Sequence, residues 1–171
     1  MAEKVAVLLD GGFVTKLLKR HLKAAPTADH IESFAAALLA HPYAKSYDLY
    51  RAFYYDCPPL GRTIQNPISN TSINLGASAV AARQRALLTE IELKPNFSVR
   101  RGELLCHGWR LRKSAISALK KGPLTIAANH IEPHLQQKGV DQKITLDLVS
   151  LVVRHAPVFG CDGQFDYKHF R

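Results

Sequence analysis

Short apolar runs and helically spaced apolar stripes alternate along the chain. The first run, VAVLLD at residues 5–10, ends in an acid and is followed by Gly11-Gly12. Such a run is typical of a fully buried parallel strand that leads into a tight turn. The segments FVTKLLKRHL and HIESFAAALLA then place apolar residues at helical spacing, and His41-Pro42 ends the second of them. The chain is therefore predicted to open with one strand and two helices.

Further strands and helices are predicted from residue 47 onward. Residues 47–57, YDLYRAFYYDC, favour a second strand that ends at Pro58-Pro59. A long polar loop at 61–78 precedes helical spacing in VAARQRALLTEIEL. Residues 97–106 alternate like a third strand, with a hairpin turn expected at Arg101-Gly102, and GWRLRKSAISALKKGP favours a strand edge and a short helix.

Alternating strands and helices predict one α/β domain over residues 1–171, with a mainly parallel central sheet. Active sites of such sheets lie outside the carboxyl ends of the strands. Asp10 ends the first predicted strand and is therefore a candidate site residue, although an Asp before Gly-Gly also serves as a turn former.

The stretch KGVDQKITLDLVSLVVR, residues 138–154, predicts a helix that is apolar nearly all round and therefore buried. Asp147 lies on the flank of its apolar stripe, where an ionised carboxylate is costly unless a metal ion or a basic side chain compensates for it. Asp141 stands where the helix would begin, so it is either an N-cap or a ligand of a metal or water. These alternatives stay open on the residues alone.

The net charge of +9 and the pI near 9.6 indicate a polyanionic partner, with RNA first and DNA open. Three widely spaced cysteines without a C-x-x-C pair favour a reducing, cytoplasmic setting. A long apolar segment is not apparent in the sequence, so no membrane association is expected. Clustered aspartates in a basic protein are consistent with Mg²⁺ or Mn²⁺ bound next to a phosphodiester.

Four blocks of the sequence, taken in order, resemble the NYN domain family, the PIN-like group of predicted ribonucleases. They are VAVLLDGGF, YRAFYYD, FSVRRGEL and QKGVDQKITLDLVSL. The resemblance implies a three-layer α/β/α Rossmann-like fold and metal-dependent cleavage of RNA. It also implies that Asp10, Asp141 and Asp147 are the catalytic and metal-binding acids, with Mg²⁺ or Mn²⁺ as cofactor.

The C-terminal part departs from the family pattern, in which a further strand and more acids follow the last helix. Here VFGCDGQF offers only Asp162 as a comparable acid. A missing strand would leave a sheet edge open for a second copy or a partner chain. An incomplete acidic site would leave an impaired module that binds RNA or protein, which is the alternative to a ribonuclease.

A basic segment with an interleaved tryptophan is the candidate grip for the nucleic-acid backbone, with Trp109 available to stack on a base. The alternative is a solvated basic face with Trp109 in the core. The predicted nucleic-acid contacts are Arg100, Arg101, Trp109, Arg110, Arg112, Lys113 and Lys138.

Overall fold

A computed structural model describes residues 3–153 and 158–161 of the chain. The helices are α1 (Gly11–Leu22), α2 (Ala28–Leu39), α3 (Ala79–Glu92), α4 (Lys113–Leu119) and α5 (Val140–Val153). The strands are β1 (Lys4–Asp10), β2 (Asp48–Asp56), β3 (Thr63–Gln65), β4 (Ser72–Asn74), β5 (Phe97–Arg101), β6 (Glu103–Leu111), β7 (Ile131–Lys138) and β8 (Val158–Cys161). Most of these elements lie where the apolar pattern predicts them.

The central sheet has four parallel strands in the order β5-β2-β1-β8. The chain builds outward from β1 through β2 to β5 and then returns to the other side of β1 with β8. The predicted α/β class and parallel sheet are confirmed, and helices flank the sheet. β8 occupies the edge of β1 that a missing strand would have left open. The strand order reverses between β1 and β8, and ligands of such sheets bind at this kind of switch point.

Alternating residues of the same strands form two apolar clusters, as the period of a pleated strand requires. Val7, Leu9 and Tyr54 belong to the cluster that packs against α1, α2 and α3. Leu8 and Tyr55 belong to the cluster that packs against α5. The helices that pack against the two clusters thereby hold the carboxyl ends of β1 and β2 in fixed positions.

An antiparallel pair of strands, β6 and β7, stands apart from the central sheet and is called the arm here. The hairpin turn predicted at Arg101-Gly102 is wrong, because β5 and β6 belong to different sheets. Gly102 instead lets two chain segments pass closely. A Cβ on it would lie 2.7 Å from the carbonyl oxygen of Lys138 and 2.9 Å from Cys57 Sγ.

The prediction that the helix of residues 138–154 is buried is wrong. In α5 only Val140 and Leu151 are buried, whereas Leu146 is 69% exposed and Val149 is 56% exposed. The helix packs one face on the sheet and leaves its other apolar face in solvent. Among the described residues, no helix is both long and apolar enough to cross a membrane.

Candidate active site

Asp10 is the last residue of β1 and the N-cap of α1. Its Oδ1 accepts a hydrogen bond from the amide of Phe13 at 2.9 Å. Gly11 allows the start of α1 to pack closely against Tyr54, because a Cβ there would lie 2.7 Å from the Tyr54 ring. Asp10 therefore has the capping role that a turn-forming aspartate would have, and capping uses one of its two carboxylate oxygens.

Asp56 is the last residue of β2, the strand next to β1, and it is only 5% exposed. Its Oδ1 accepts hydrogen bonds from the amide of Cys57 at 2.7 Å and from Gln137 Nε2 at 2.9 Å. Its Oδ2 accepts a hydrogen bond from Gln84 Nε2 at 2.7 Å. Side chains from α3 and from the arm thus converge on one buried carboxylate.

The charges at these two strand ends interact. Burial raises the pKa of Asp56, the three donors oppose this rise, and the negative charge of Asp10 adds to it. Burial, followed by the charge of Asp56, also raises the pKa of the Tyr54 phenol, so this hydroxyl stays neutral. The Tyr54 hydroxyl lies 3.1 Å from Thr15 Oγ1. The site therefore combines two acids at the ends of neighbouring strands, whose charges interact, with a neutral phenol.

A cleft of about 810 Å³ opens above Asp56, between the first turns of α1 and α3 on one side and the arm on the other. Its walls combine apolar side chains with the basic groups of Lys16, Arg110 and Arg112. The lining residues include Gly11, Gly12, Thr15, Lys16, Asp56, Pro59, Leu75, Val80, Gln84, Arg110, Arg112, Glu132, Pro133, Leu135 and Gln137. The cleft thus has an acidic floor, apolar walls and a basic rim.

The structure does not bring the three predicted metal-binding aspartates together. Asp147 Oδ2 accepts hydrogen bonds from the Tyr55 hydroxyl at 2.9 Å and from Arg100 Nε at 3.0 Å. Tyr55 belongs to the α5 side of the sheet, away from Gln84 and the cleft. Asp147 therefore has the basic partner that was the alternative to a metal.

Asp141 is exposed and lies in the first turn of α5. The predicted cap position is wrong, because the helix begins one residue earlier, at Val140. Within residues 3–153 and 158–161, no group of three His, Cys, Asp or Glu side chains is placed to share a metal ion. Asp162 lies outside the described residues.

The predicted basic segment divides into two sets. Arg110 and Arg112 line the cleft, and Glu132 holds both of them, at 2.9 Å from Arg110 Nη2 and 3.9 Å from Arg112 Nη1. Arg100 is paired with Asp147, and its guanidinium lies 5.0 Å from the centre of the Phe53 ring. Only the first set faces the acidic pair.

The other predicted contacts lie at the edges of the site. Arg101 makes two hydrogen bonds with Glu92, at 3.0 and 2.7 Å. Trp109 is half-buried on β6 and is not part of either core cluster, so the core alternative for this residue is wrong. Lys113 at the start of α4 and Lys138 at the end of β7 are exposed.

Sequence reasoning missed Asp56, Gln84, Gln137 and Lys16 as site residues. Asp56 carried a usable signal, because it ends a buried strand as Asp10 does, and neighbouring parallel strands end at the same edge of the sheet. Gln84 and Gln137 carried no such signal in the sequence, because α3 and β7 meet Asp56 only in the folded chain.

No protein-family model, curated protein or solved structure matches this chain. The resemblance to the NYN family therefore stays a prediction that depends on the quoted blocks.

Proposed function

We propose that this protein binds RNA and hydrolyses its phosphodiester bonds, using Mg²⁺ or Mn²⁺ held at the carboxyl ends of β1 and β2. The observation that carries the proposal is the position of Asp10 and Asp56 at the ends of two neighbouring strands, where their charges interact, next to a basic-rimmed cleft that Asp56 lines. The strand order and the NYN resemblance support the finer proposal of a three-layer, PIN-like fold.

The two carboxylates fit a hard divalent cation. Mg²⁺ in phosphoryl-transfer sites commonly uses one or two carboxylates and completes its shell with water and substrate phosphate. A cation here would offset the repulsion between Asp10 and Asp56 that contributes to the raised pKa of Asp56. When bound, the ion would polarise the phosphoryl group and lower the pKa of a bound water.

The remaining side chains would bind and orient the substrate. Arg110 and Arg112 present guanidinium groups at the rim, where they can bind backbone phosphates. Glu132 holds both arginines in place, so less side-chain entropy is lost when RNA binds. Lys16 adds positive charge on the opposite wall, next to the first turn of α1.

A second candidate function is an RNA-binding module without nuclease activity. The observation in its favour is that Asp147 is engaged by Tyr55 and Arg100, and that among the described residues no group of three candidate ligands is placed to share a metal ion. In that case the basic rim would bind RNA as before, and the acidic floor would be a structural feature of the strand ends.

The deciding experiment is cleavage of labelled single-stranded RNA with Mn²⁺, with Mg²⁺ and with chelator. We expect metal-dependent cleavage that falls by about 100-fold or more in Asp10→Asn and in Asp56→Asn. Asp141→Asn is the matched control, because Asp141 is an exposed aspartate away from the cleft lining, and it should keep wild-type activity.

Two results would refute the ribonuclease. One is cleavage that persists in chelator or in both site variants. The other is salt-sensitive RNA binding without cleavage under any metal, which identifies the module instead. A melting curve of each variant separates loss of a catalytic group from loss of the fold.

A further inference from the structure

The three polar side chains at the floor of the cleft are arranged in a way that hydrolysis does not require. Gln84 comes from α3, Gln137 comes from β7, and both donate Nε2 to the carboxylate of Asp56, at 2.7 and 2.9 Å. An ionised carboxylate only accepts hydrogen bonds, so each carboxamide must turn its nitrogen toward Asp56. The orientation of both carboxamides is therefore fixed by chemistry.

This orientation leaves the other half of each carboxamide available. Each side chain keeps its Oε1 as an acceptor and its second N–H as a donor. Within the described residues neither Oε1 accepts a hydrogen bond. Gln84 is half-buried and Gln137 is exposed, so both oxygens are available to a ligand in the cleft that the two glutamines line.

The rest of the cleft provides complementary chemistry. Leu75, Val80 and Leu135 give apolar walls to a space of about 810 Å³, which is ample for a nucleotide. Arg110 and Arg112 lie on the same cleft and can bind the attached phosphates. Apolar walls suit a nucleobase, and the donor and acceptor groups of the two carboxamides suit the edge of that base. The guanidinium groups suit the phosphate backbone of the RNA.

We propose that Gln84 and Gln137 determine base specificity, and that the cleft binds an adenine of the RNA through its edge. A carboxamide pairs with adenine by accepting a hydrogen bond from the exocyclic amine and donating one to a ring nitrogen. Asp56 is the positioning residue for both glutamines. The inference rests on the proposed RNA binding and adds the base that the protein selects.

The test is binding without cleavage, measured by fluorescence anisotropy in chelator. The two probes are a uridine 12-mer and the same 12-mer with one central adenine. Wild type should bind the adenine probe about tenfold more tightly. Gln84→Ala and Gln137→Ala should each reduce this ratio toward one. Gln136→Ala is the matched control, since Gln136 is the preceding residue on β7 and does not line the cleft.

Arg110→Ala is the contrasting variant, because a residue that binds phosphate should affect both probes equally. It should weaken binding of both probes by the same factor and reduce the salt slope by about one. The glutamine variants should leave that slope unchanged. Because the glutamines come from separate elements, either variant carries the test if the other fails to fold, as judged by its melting curve.

The outcomes separate this inference from the proposed function. Equal binding of both probes by wild type overturns the adenine site while RNA binding stands. A preserved adenine preference in both folded glutamine variants also overturns it. Failure of wild type to bind either probe refutes the proposed function itself.

Discussion

Substitution of Asp147 tests whether its carboxylate is catalytic, as the sequence predicts, or structural. In the structure its carboxylate joins α5 to the sheet, by accepting hydrogen bonds from Tyr55 on β2 and Arg100 on β5. Replacing it with alanine removes the acceptor that satisfies a buried phenol. We therefore expect Asp147→Ala to lower the free energy of unfolding and to leave the chemistry of the cleft in place.

The size of the effect follows from the two contacts. Tyr55 is buried, and a buried hydroxyl that loses its partner costs about 1–3 kcal/mol. The Arg100 side chain is 43% exposed, so its ion pair adds about 0–1 kcal/mol. The sum is about 1–4 kcal/mol. For a chain of this length, each 1 kcal/mol corresponds to a fall in melting temperature of about 2–4 °C, so the fall should be about 2–16 °C.

Urea denaturation of wild type, Asp147→Ala, Tyr55→Phe and the double variant measures the loss and its coupling. The cycle should return a coupling energy of about 1 kcal/mol between Asp147 and Tyr55. Asp141→Ala is the control on the same helix, and it should cost no more than about 1 kcal/mol. If Asp147→Ala instead keeps wild-type stability but abolishes metal-dependent cleavage, Asp147 belongs to the catalytic site and is not a structural residue.

Three further predictions concern stability. Burial raises the pKa of Asp56, so its ionised form costs stability; that cost is absent below the ordinary pKa of 3.8 and fully present above the raised value. As the pH falls from 7 to 4, urea titrations should therefore show the free energy of unfolding of wild type rising relative to Asp56→Asn. Gly102→Ala should lose about 1–3 kcal/mol in the same assay, because its Cβ would meet the Lys138 carbonyl at 2.7 Å, and an unchanged midpoint would contradict this contact. Val149→Lys on the exposed face of α5 should change stability by less than about 0.5 kcal/mol, and a larger loss in thermal melts would show that the face is covered.

The central sheet was predictable because its two middle strands, β1 and β2, are largely buried. Val5 to Leu9 form an unbroken apolar run, and the final residues of β2 are all buried, which leaves a clear pattern in the sequence. The strand β7 was missed for the opposite reason. Its sequence IEPHLQQK shows no alternation, and its partner β6 lies some distance back in the chain. Its pairing is a tertiary contact that local periodicity does not encode.

The candidate site was predictable only in part. The position of Asp10 follows from one rule, that active sites lie at the carboxyl ends of parallel strands. The same rule applies to Asp56, but this part of the sequence was interpreted only as a strand that ends at Pro58-Pro59. The burial predicted for α5 was wrong because a helical wheel counts apolar residues without showing what packs against them. Leu146 and Val149 are apolar and yet lie in solvent.

The contribution of the stretch 138–154 to the site is therefore indirect. Asp147 ties α5 to β2 and β5, and α5 begins immediately after Gly139, whose φ of +78° turns the chain out of β7. Gln137, two residues before that glycine, reaches Asp56 at the floor of the cleft. Asp147 lies in the middle of α5 and fixes this helix to the sheet, and the N-terminal end of the same helix follows β7 directly after Gly139. We therefore expect Asp147 to affect the site only through the position of β7 and Gln137, while Asp10 and Asp56 face the proposed chemistry.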